Sequence, residues 1–226
     1  MTCAAAIFDL DGTLVDSLAD IAGAMNRSLA AFGFPTHPVE DYRRFIGEGV
    51  QKLAQRVLPP GAEHARAELL AAYQVDYAEN MVTSSAPYPG IPALLDALGA
   101  RELPMAVLSN KPDGPTRTIV AKLFGAGRFR AVAGERPGIP RKPDPAAALE
   151  LARALGARPE EVAFVGDTLV DISTARAAGM RPLGVLWGFR AQEVVEAGVT
   201  TVQHPEQLLG LLVGDGRGAK RGSRVC

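Results

Sequence analysis

The stretch Asp9-Leu10-Asp11-Gly12-Thr13 decides the fold, because it directly follows the short apolar run Ala4-Ala5-Ala6-Ile7-Phe8. A short apolar run that ends in a polar, glycine-containing turn is typical of a buried strand in a parallel sheet. Asp9 and Asp11 are two residues apart, so in an extended chain their side chains lean to the same side. Gly12 then lets the chain turn away. The stretch therefore predicts a strand that ends in a pair of carboxylates.

The same pattern recurs along the chain. Four further short apolar runs alternate with stretches that have helical spacing, and this alternation predicts an α/β fold with a doubly wound parallel sheet. The predicted strands are 105–108, 129–132, 162–165 and 182–186, and the predicted helices are 91–98, 116–123, 145–155 and 169–178.

One interval interrupts the alternation. From about Ser17 to Met81 the sequence has an amphipathic helical pattern without a convincing strand, and the Pro-rich stretch 82–90 after it has the composition of a hinge. We therefore expect an inserted helical cap domain over residues 16–85, called the helical insert below, and a core domain formed by residues 1–15 and 86–213. The basic segment 214–226 lacks apolar periodicity and is predicted to be a disordered tail.

Composition limits the classes of partner. The net charge of −1 comes from 24 Lys+Arg and 25 Asp+Glu, so no overall field attracts nucleic acid or an anionic membrane. No apolar stretch approaches the roughly 20 residues that span a bilayer. The two cysteines, Cys3 and Cys226, have no metal-ligand spacing. We expect a cytoplasmic protein, either a monomer or a homodimer, that acts on a small molecule.

A second acidic pair, Asp167 and Asp171, follows the predicted strand 162–165. In open α/β sheets ligands bind beyond the carboxyl ends of the strands, where both acidic pairs are expected. Neighbouring carboxylates repel each other unless a cation binds, and hard oxygen ligands suit Mg²⁺. Asp167 and Asp171 also fit the start of a helix, where an acidic residue caps free N–H groups. The two functions can coexist, and the sequence predicts a Mg²⁺ site.

Two further segments offer groups that bind a phosphoryl oxygen. Ser109-Asn110-Lys111-Pro112 follows the predicted strand 105–108, and Lys142 lies in Arg141-Lys142-Pro143-Asp144-Pro145, a loop before a helix. A hydroxyl donates a hydrogen bond, and an ammonium supplies a point charge. A single serine or lysine is more often a turn or solvated residue, so neither segment is decisive alone.

These four segments, in this order and with an insert after the first, resemble the haloacid dehalogenase superfamily from residue 4 to about residue 212. The helical insert resembles the cap of the phosphoglycolate phosphatase-like branch. Further matches to that branch are Arg43-Arg44-Phe45-Ile46-Gly47-Glu48-Gly49 with Leu53 and Arg56, Tyr88-Pro89-Gly90, Ser109-Asn110-Lys111-Pro112, and Gly184-Val185-Leu186-Trp187-Gly188.

The resemblance implies a Rossmann-like core and a reaction through a phospho-aspartate on Asp9, with Asp11 as the general acid and base. It implies that Mg²⁺ is held by Asp9, the backbone carbonyl of Asp11, and Asp167, with Asp171 nearby. Substrate-binding groups are then expected at Gly12, Ser109, Asn110 and Lys142, and in the loop formed by Gly47, Glu48 and Gly49 of the helical insert.

The resemblance favours hydrolysis of 2-phosphoglycolate to glycolate and phosphate. A phosphatase for pyrophosphate or a sugar phosphate, a phosphomutase, and a non-enzymatic binding protein are the alternatives, because fold does not determine the leaving group. A phosphonate-cleaving enzyme is disfavoured, since it would need Lys52 as a Schiff base.

Several residues have no motif that assigns them to the site. We expect the three histidines at the surface and Trp187 in a packing position. Three arginines are candidates for binding a substrate carboxylate, although each is more often a solvated helix residue. The histidines are His37, His64 and His204, and the arginines are Arg43, Arg44 and Arg56.

Overall fold

The computed structural model describes residues 2–214, which contain eight strands. Six of them form one parallel sheet, and the two shortest pair with each other. The strands are β1 (Ala5–Phe8), β2 (Val15–Asp16), β3 (Ala86–Pro87), β4 (Met105–Pro112), β5 (Ala131–Glu135), β6 (Val162–Gly166), β7 (Arg181–Val185) and β8 (Thr200–Val202). The order in the large sheet is β5-β4-β1-β6-β7-β8.

Helices connect the strands and cover the sheet. Within residues 2–214 the α-helices are α1 (Leu18–Ala31), α2 (Tyr42–Phe45), α3 (Val50–Val57), α4 (Arg66–Asn80), α5 (Ile91–Gly99), α6 (Asp113–Phe124), α7 (Ala146–Leu155), α8 (Leu169–Ala177), α9 (Ala191–Glu196) and α10 (Glu206–Val213). Short 3₁₀ turns lie at 39–41, 63–65 and 159–161.

The two faces of β1 contribute to different halves of the core. Ala6 and Phe8 belong to the half that α5, α6 and α10 cover, whereas Ala5 and Ile7 belong to the half that α7 covers. Side chains of a strand alternate between faces, so a strand covered by helices on both sides must be apolar throughout. The predicted doubly wound parallel sheet is confirmed.

The chain builds the sheet outward from β1 in two directions. It first adds β4 and β5 on one side, then crosses over and adds β6, β7 and β8 on the other. The order therefore reverses beside β1, and the carboxyl ends of β1, β4 and β6 lie together. Such a reversal is where open α/β sheets bind ligands.

The helical insert contains α1 to α4, and beyond Asp16, the last residue of β2, its described residues form no strand. Its two connections to the core pair as the antiparallel strands β2 and β3, with Val15 opposite Pro87. The Asp20 carboxylate accepts hydrogen bonds of 2.8–3.1 Å from three successive backbone N–H groups at 83–85. The predicted helical character is therefore confirmed, while the domain boundaries at 16 and 85 stay a prediction.

Two expectations about the elements need correction, and further elements were not predicted. Ser109-Asn110-Lys111-Pro112 lies inside β4 rather than after it, because β4 continues past a register shift and pairs Pro112 with Glu135. β5 begins at Ala131 rather than at Phe129. The elements β8, α9 and α10 were not predicted, since three to eight residues are too few to give a clear periodicity.

In residues 2–214 no helix is long and apolar enough to cross a membrane. The tail predicted to be disordered lies outside the described residues from position 215 onward.

Candidate active site

Asp9 directly follows β1, and its backbone N–H donates to the Val165 carbonyl of β6 at 2.9 Å. The chain then turns at Gly12, which has a φ of +86°. A side chain at Gly12 would also collide with the Asp167 carboxylate. Glycine is required here for both reasons, since it adopts a positive φ without strain and lets two loops approach closely. The loop thus holds Asp9 and Asp11 at the carboxyl edge of the sheet, as predicted.

Asp9, Asp167 and Asp171 form a buried carboxylate cluster in which one oxygen of each lies within 4.8 Å of the others. Asp167 follows β6 and accepts hydrogen bonds from the Thr13 hydroxyl (3.0 Å) and the Phe189 N–H (2.8 Å). The cluster joins loops that are far apart in the sequence.

Asp171 belongs to this cluster and also caps the N-terminus of α8. Its carboxylate accepts from the N–H and the hydroxyl of Thr168, the residue before the helix, at 3.1 and 2.8 Å. The helix-capping function and membership of the acidic cluster therefore coexist, as the sequence allowed.

The cluster concentrates negative charge where water is excluded. Burial, and then repulsion from Asp171, raises the pKa of Asp9 well above its usual value and raises the pKa of Asp167 to about 7. A divalent cation held by these oxygens would offset the free-energy cost of burying carboxylates that repel each other. All-oxygen ligation suits a hard ion such as Mg²⁺. The residues present therefore fit a divalent metal.

Lys142 supplies the positive charge beside the cluster. Its Nζ lies 2.8 Å from Asp9 Oδ1 and 2.6 Å from Asp171 Oδ1, and its side chain is 2% exposed. Burial alone would lower the pKa of this ammonium, but Asp171 and Asp9 raise it overall. Lys142 therefore stays charged and offsets part of the carboxylate charge.

Asp11 takes part in a different set of contacts. Ser17 Oγ donates to Asp11 Oδ1 at 2.6 Å, and Lys111 Nζ lies 3.0 Å from Asp11 Oδ2. The Asp11 side chain thus lies outside the carboxylate cluster of Asp9, Asp167 and Asp171. Metal binding through its backbone carbonyl stays a prediction.

Ser109 and Asn110 lie in the second half of β4. Ser109 Oγ accepts from the Lys111 N–H at 3.2 Å. Asn110 Nδ2 donates to the carbonyls of Gly47 (3.1 Å) and Lys142 (3.0 Å). The Asn110 side chain therefore ties together the helical insert and the loop that carries Lys142.

A cavity of about 250 Å³ lies between the helical insert and the sheet edge. Its polar side contains five of the predicted site residues, and its other side is largely apolar. The polar side is formed by Asp9, Asp11, Ser109, Asn110, Lys111 and Lys142, and the insert contributes Ile21, Ile46, Gly47, Gly49, Val50, Leu53, Tyr73, Gln74 and Tyr77.

Gly47 and Gly49 line the cavity, whereas Glu48 between them does not. Glu48 pairs with Arg56 and lies 3.6 Å from Arg190, and the hydrogen bond from Arg56 lowers the pKa of Glu48. The structure therefore does not bring the Glu48 side chain into the set of substrate-binding groups predicted for this loop.

None of the three candidate arginines lines the cavity. Arg43 pairs with Glu40 and Arg44 pairs with Asp41, each at 2.7 Å, while Arg56 pairs with Glu48. Their partners are all carboxylates of the insert itself. The structure therefore does not bring these three arginines to the cavity.

The unassigned residues divide into packed and exposed ones. Trp187 packs against the core and donates from Nε1 to the Thr13 carbonyl at 3.0 Å, which confirms its predicted packing position. His64 and His204 are exposed as expected. His37 is half-buried instead, because its ring contacts Phe45 and its Nε2 donates to a backbone carbonyl.

The residues of the site region that the sequence did not assign include Lys111, Tyr73 and Tyr77. Lys111 belongs to the segment Ser109-Asn110-Lys111-Pro112 but received no function, and Tyr73 and Tyr77 lie four residues apart on α4. That spacing places both on one helix face, a signal that an apolar core also produces. Packing of the insert against the sheet brings these side chains to the cavity.

Comparison with known proteins agrees with this architecture. The model of the haloacid dehalogenase-like hydrolase family matches residues 3–179. A phosphoglycolate phosphatase of Aquifex aeolicus (strain VF5) is 36% identical over 183 residues, covering 81% of this chain and 84% of the relative. A phosphoglycolate phosphatase of Cereibacter sphaeroides is 40% identical over 195 residues, covering 84% of this chain and 88% of the relative.

The fold is also similar to solved structures. A candidate phosphoglycolate phosphatase from Lactobacillus delbrueckii subsp. bulgaricus superposes with a TM-score of 0.89 at 31% identity, covering 95% of this chain and 100% of that one. Family model, relatives and fold all point to an enzyme that is a phosphoric monoester hydrolase. The chain belongs to the haloacid dehalogenase-like hydrolase family.

Proposed function

We propose that this phosphatase hydrolyses 2-phosphoglycolate to glycolate and phosphate, through a phospho-aspartate on Asp9 and with Mg²⁺ bound. The observation that carries the proposal is the arrangement around Asp9. Its carboxylate lines the cavity, its Oδ1 lies 2.8 Å from the Lys142 ammonium, and Ser109 lines the same cavity. An anionic nucleophile can approach an anionic phosphate only where cations neutralise the site.

Four polar residues of the cavity then have a function in the reaction. Asp9 attacks phosphorus, and Ser109 and Lys142 bind the phosphoryl oxygens. Asp11, held by Ser17 at 2.6 Å, donates a proton to the leaving oxygen and later accepts one from water. Two displacements with a covalent intermediate replace one difficult displacement.

The buried carboxylates supply the metal ligands. Asp9 and Asp167, with the backbone carbonyl of Asp11, would hold Mg²⁺, and Asp171 would lie beside them and position Lys142. The ion, when bound, supplies positive charge that stabilises the transferring phosphoryl group.

The substrate proposal is supported by the size of the cavity and by the relatives. About 250 Å³ suits a small phosphorylated acid. The Aquifex aeolicus and Cereibacter sphaeroides relatives carry the name phosphoglycolate phosphatase.

Phosphate release from a panel of esters, with and without Mg²⁺, tests reaction and substrate together. We expect 2-phosphoglycolate to exceed pyrophosphate, glucose 6-phosphate and p-nitrophenyl phosphate in kcat/KM, and all rates to fall when Mg²⁺ is chelated. A rate on 2-phosphoglycolate no better than that on p-nitrophenyl phosphate would overturn the substrate. Isomerisation of a sugar phosphate without phosphate release would identify a phosphomutase.

The nucleophile is tested by Asp9→Asn, with Asp96→Asn as the matched control, because Asp96 is an exposed residue of α5 whose partner is Arg128. Asp9→Asn should lose nearly all activity and fold normally, whereas Asp96→Asn should keep wild-type activity. Full activity of Asp9→Asn would refute the phospho-aspartate.

A further inference from the structure

The cavity contains two lysine ammonium groups, which differ in how much negative charge already surrounds them. Lys142 lies within 2.8 Å of two carboxylates, those of Asp9 and Asp171. Lys111 lies near one, that of Asp11, at 3.0 Å. Among cations lining the cavity, Lys111 therefore has the greater capacity for a further anion.

The donors of Lys111 are also incompletely used. An ammonium has three N–H donors, and the described residues offer this one two partners, Asp11 Oδ2 at 3.0 Å and the Tyr77 hydroxyl at 2.8 Å. The Lys111 side chain is 5% exposed and borders the cavity. One donor thus remains for a ligand that enters the cavity.

Tyr77 adds a second donor at the same place. Its hydroxyl accepts from Lys111, so its own proton can be donated elsewhere. Burial raises the pKa of Tyr77 well above its usual value, so this hydroxyl keeps its proton. Lys111 and Tyr77 together present a positive charge and a neutral donor, which is a suitable pair for a carboxylate.

The position of this pair relative to Asp11 fits the leaving group. The Lys111 ammonium lies 3.0 Å from Asp11 Oδ2. If Asp11 protonates the bridging oxygen, that oxygen lies next to Asp11, and the atoms attached to it would come within reach of Lys111. In a phosphorylated 2-hydroxy acid the carboxylate is attached to the next carbon. The remaining wall is largely apolar and includes the side chains of Ile21, Leu53 and Tyr73.

We infer that Lys111, with the Tyr77 hydroxyl, binds the carboxylate of the leaving group and so selects small phosphorylated acids over phosphate esters of neutral alcohols. This inference rests on the proposed function and names a specificity-determining residue for it. It also explains why the arginines of the insert, paired with Glu40, Asp41 and Glu48, are not needed for the substrate.

The test compares 2-phosphoglycolate with 2-hydroxyethyl phosphate, which replaces the carboxylate by a neutral hydroxymethyl group of similar size. We expect the wild-type enzyme to prefer 2-phosphoglycolate by about 100-fold or more in kcat/KM, as for a buried charge pair. In Lys111→Met this preference should fall to within about 10-fold. Lys111→Arg should retain part of it, and Lys122→Met, at an exposed position of α6, should keep all of it.

The outcomes distinguish binding of the leaving-group carboxylate by Lys111 from a function of Lys111 in orienting Asp11. If Lys111 merely orients Asp11, Lys111→Met will lower kcat/KM for both esters by the same factor, and the inference is overturned. If Lys111→Met does not fold, the wild-type ratio decides, because a ratio near one overturns the inference without any variant. Failure of the wild-type enzyme to hydrolyse either ester would overturn the proposed function itself.

Discussion

Lys142 Nζ lies 2.6 Å from Asp171 Oδ1, and both side chains are almost completely buried. The same ammonium contacts Asp9, so one positive charge is shared between two carboxylates that come from different loops. An ion pair buried to this extent stabilises the fold only while both partners are present, because a single buried charge is strongly unfavourable.

Lys142→Met should therefore destabilise the metal-free protein by about 3–5 kcal/mol, since Asp9 and Asp171 lose their cation. It should also abolish phosphatase activity. Urea unfolding in EDTA measures the first effect, and Lys122→Met provides the control at an exposed site. Equal unfolding free energies for Lys142→Met and wild type would show that the ion pair does not form in solution.

Without metal, the stability of the protein should depend on pH through Asp167. Its pKa rises from the usual 3.8 to about 7 on folding. The folded state therefore holds a proton that the unfolded state has lost, and the free energy of unfolding should fall as pH rises from about 4 to about 7. Asp167→Asn should remove this part of the dependence.

Addition of Mg²⁺ should oppose the fall in the free energy of unfolding at higher pH, since the ion binds deprotonated carboxylates. Thermal melts with and without Mg²⁺ should show a larger increase in Tm at pH 7.5 than at pH 5. An increase that does not vary with pH would contradict metal binding at the cluster of Asp9, Asp167 and Asp171.

Asp11→Asn should separate the two steps of the reaction. With p-nitrophenyl phosphate the leaving group needs no proton, so Asp9 should still be phosphorylated, while hydrolysis loses its base and slows by about 10²–10⁴-fold. Rapid mixing should show a burst of about one nitrophenolate per enzyme, followed by slow turnover. Asp9→Asn, which lacks the nucleophile, should show no burst.

Arg190 connects the core to the helical insert. Its guanidinium donates to the backbone carbonyls of Arg43, Arg44 and Ile46. Arg190→Gln should weaken closure of the insert over the cavity and raise KM for 2-phosphoglycolate about 10-fold, with little change in Tm. Arg136→Gln, which removes a pair with Glu150 and a hydrogen bond to the Gly134 carbonyl within the core, is the control. An unchanged KM in Arg190→Gln would show that closure does not depend on this contact.

Gly188 approaches Asp167 so closely that a methyl group there would collide with the Asp167 Cβ and with the Gly12 carbonyl. Gly188→Ala should cost about 1–3 kcal/mol of stability and weaken Mg²⁺ binding, measured as the concentration that gives half-maximal activity. Gly114→Ala has open space around it and should stay within about 0.5 kcal/mol. Unaltered Mg²⁺ dependence in Gly188→Ala would mean that the position of Asp167 tolerates the shift.

The sequence is informative wherever a site residue ends a strand. Asp9 and Asp167 each follow a short apolar run, and parallel strands bring their carboxyl ends to a common edge, so the proximity of these two residues could be predicted from the sequence alone. The helical character of the insert followed from its periodicity in the same way.

Contacts across the insert and the sheet could not be predicted. Lys111 meets Tyr77 of α4 only because the insert packs against the sheet edge, and no local pattern encodes that packing. Glu48 is the opposite case. The resemblance of the loop Gly47-Glu48-Gly49 to the cap loop of the family branch predicted a contact with substrate, whereas Glu48 pairs with Arg56 and Arg190 and does not line the cavity.

Val15 pairs with Pro87, and Asp16 pairs with Ala86. The chain therefore leaves the core and returns to it at one point. The segment between these positions can consequently become longer or shorter, or be replaced, without altering the order of the six parallel strands. A segment inserted where the two chain ends lie close together leaves the host fold intact. The part of the cavity wall that the insert contributes, which includes Tyr77, can thereby change without a change in the strand that precedes Asp9. Transplanting residues 18–84 from a relative into this chain would exchange Tyr77 and the apolar wall of the cavity, while Asp9, Asp11 and Lys111 stay in place.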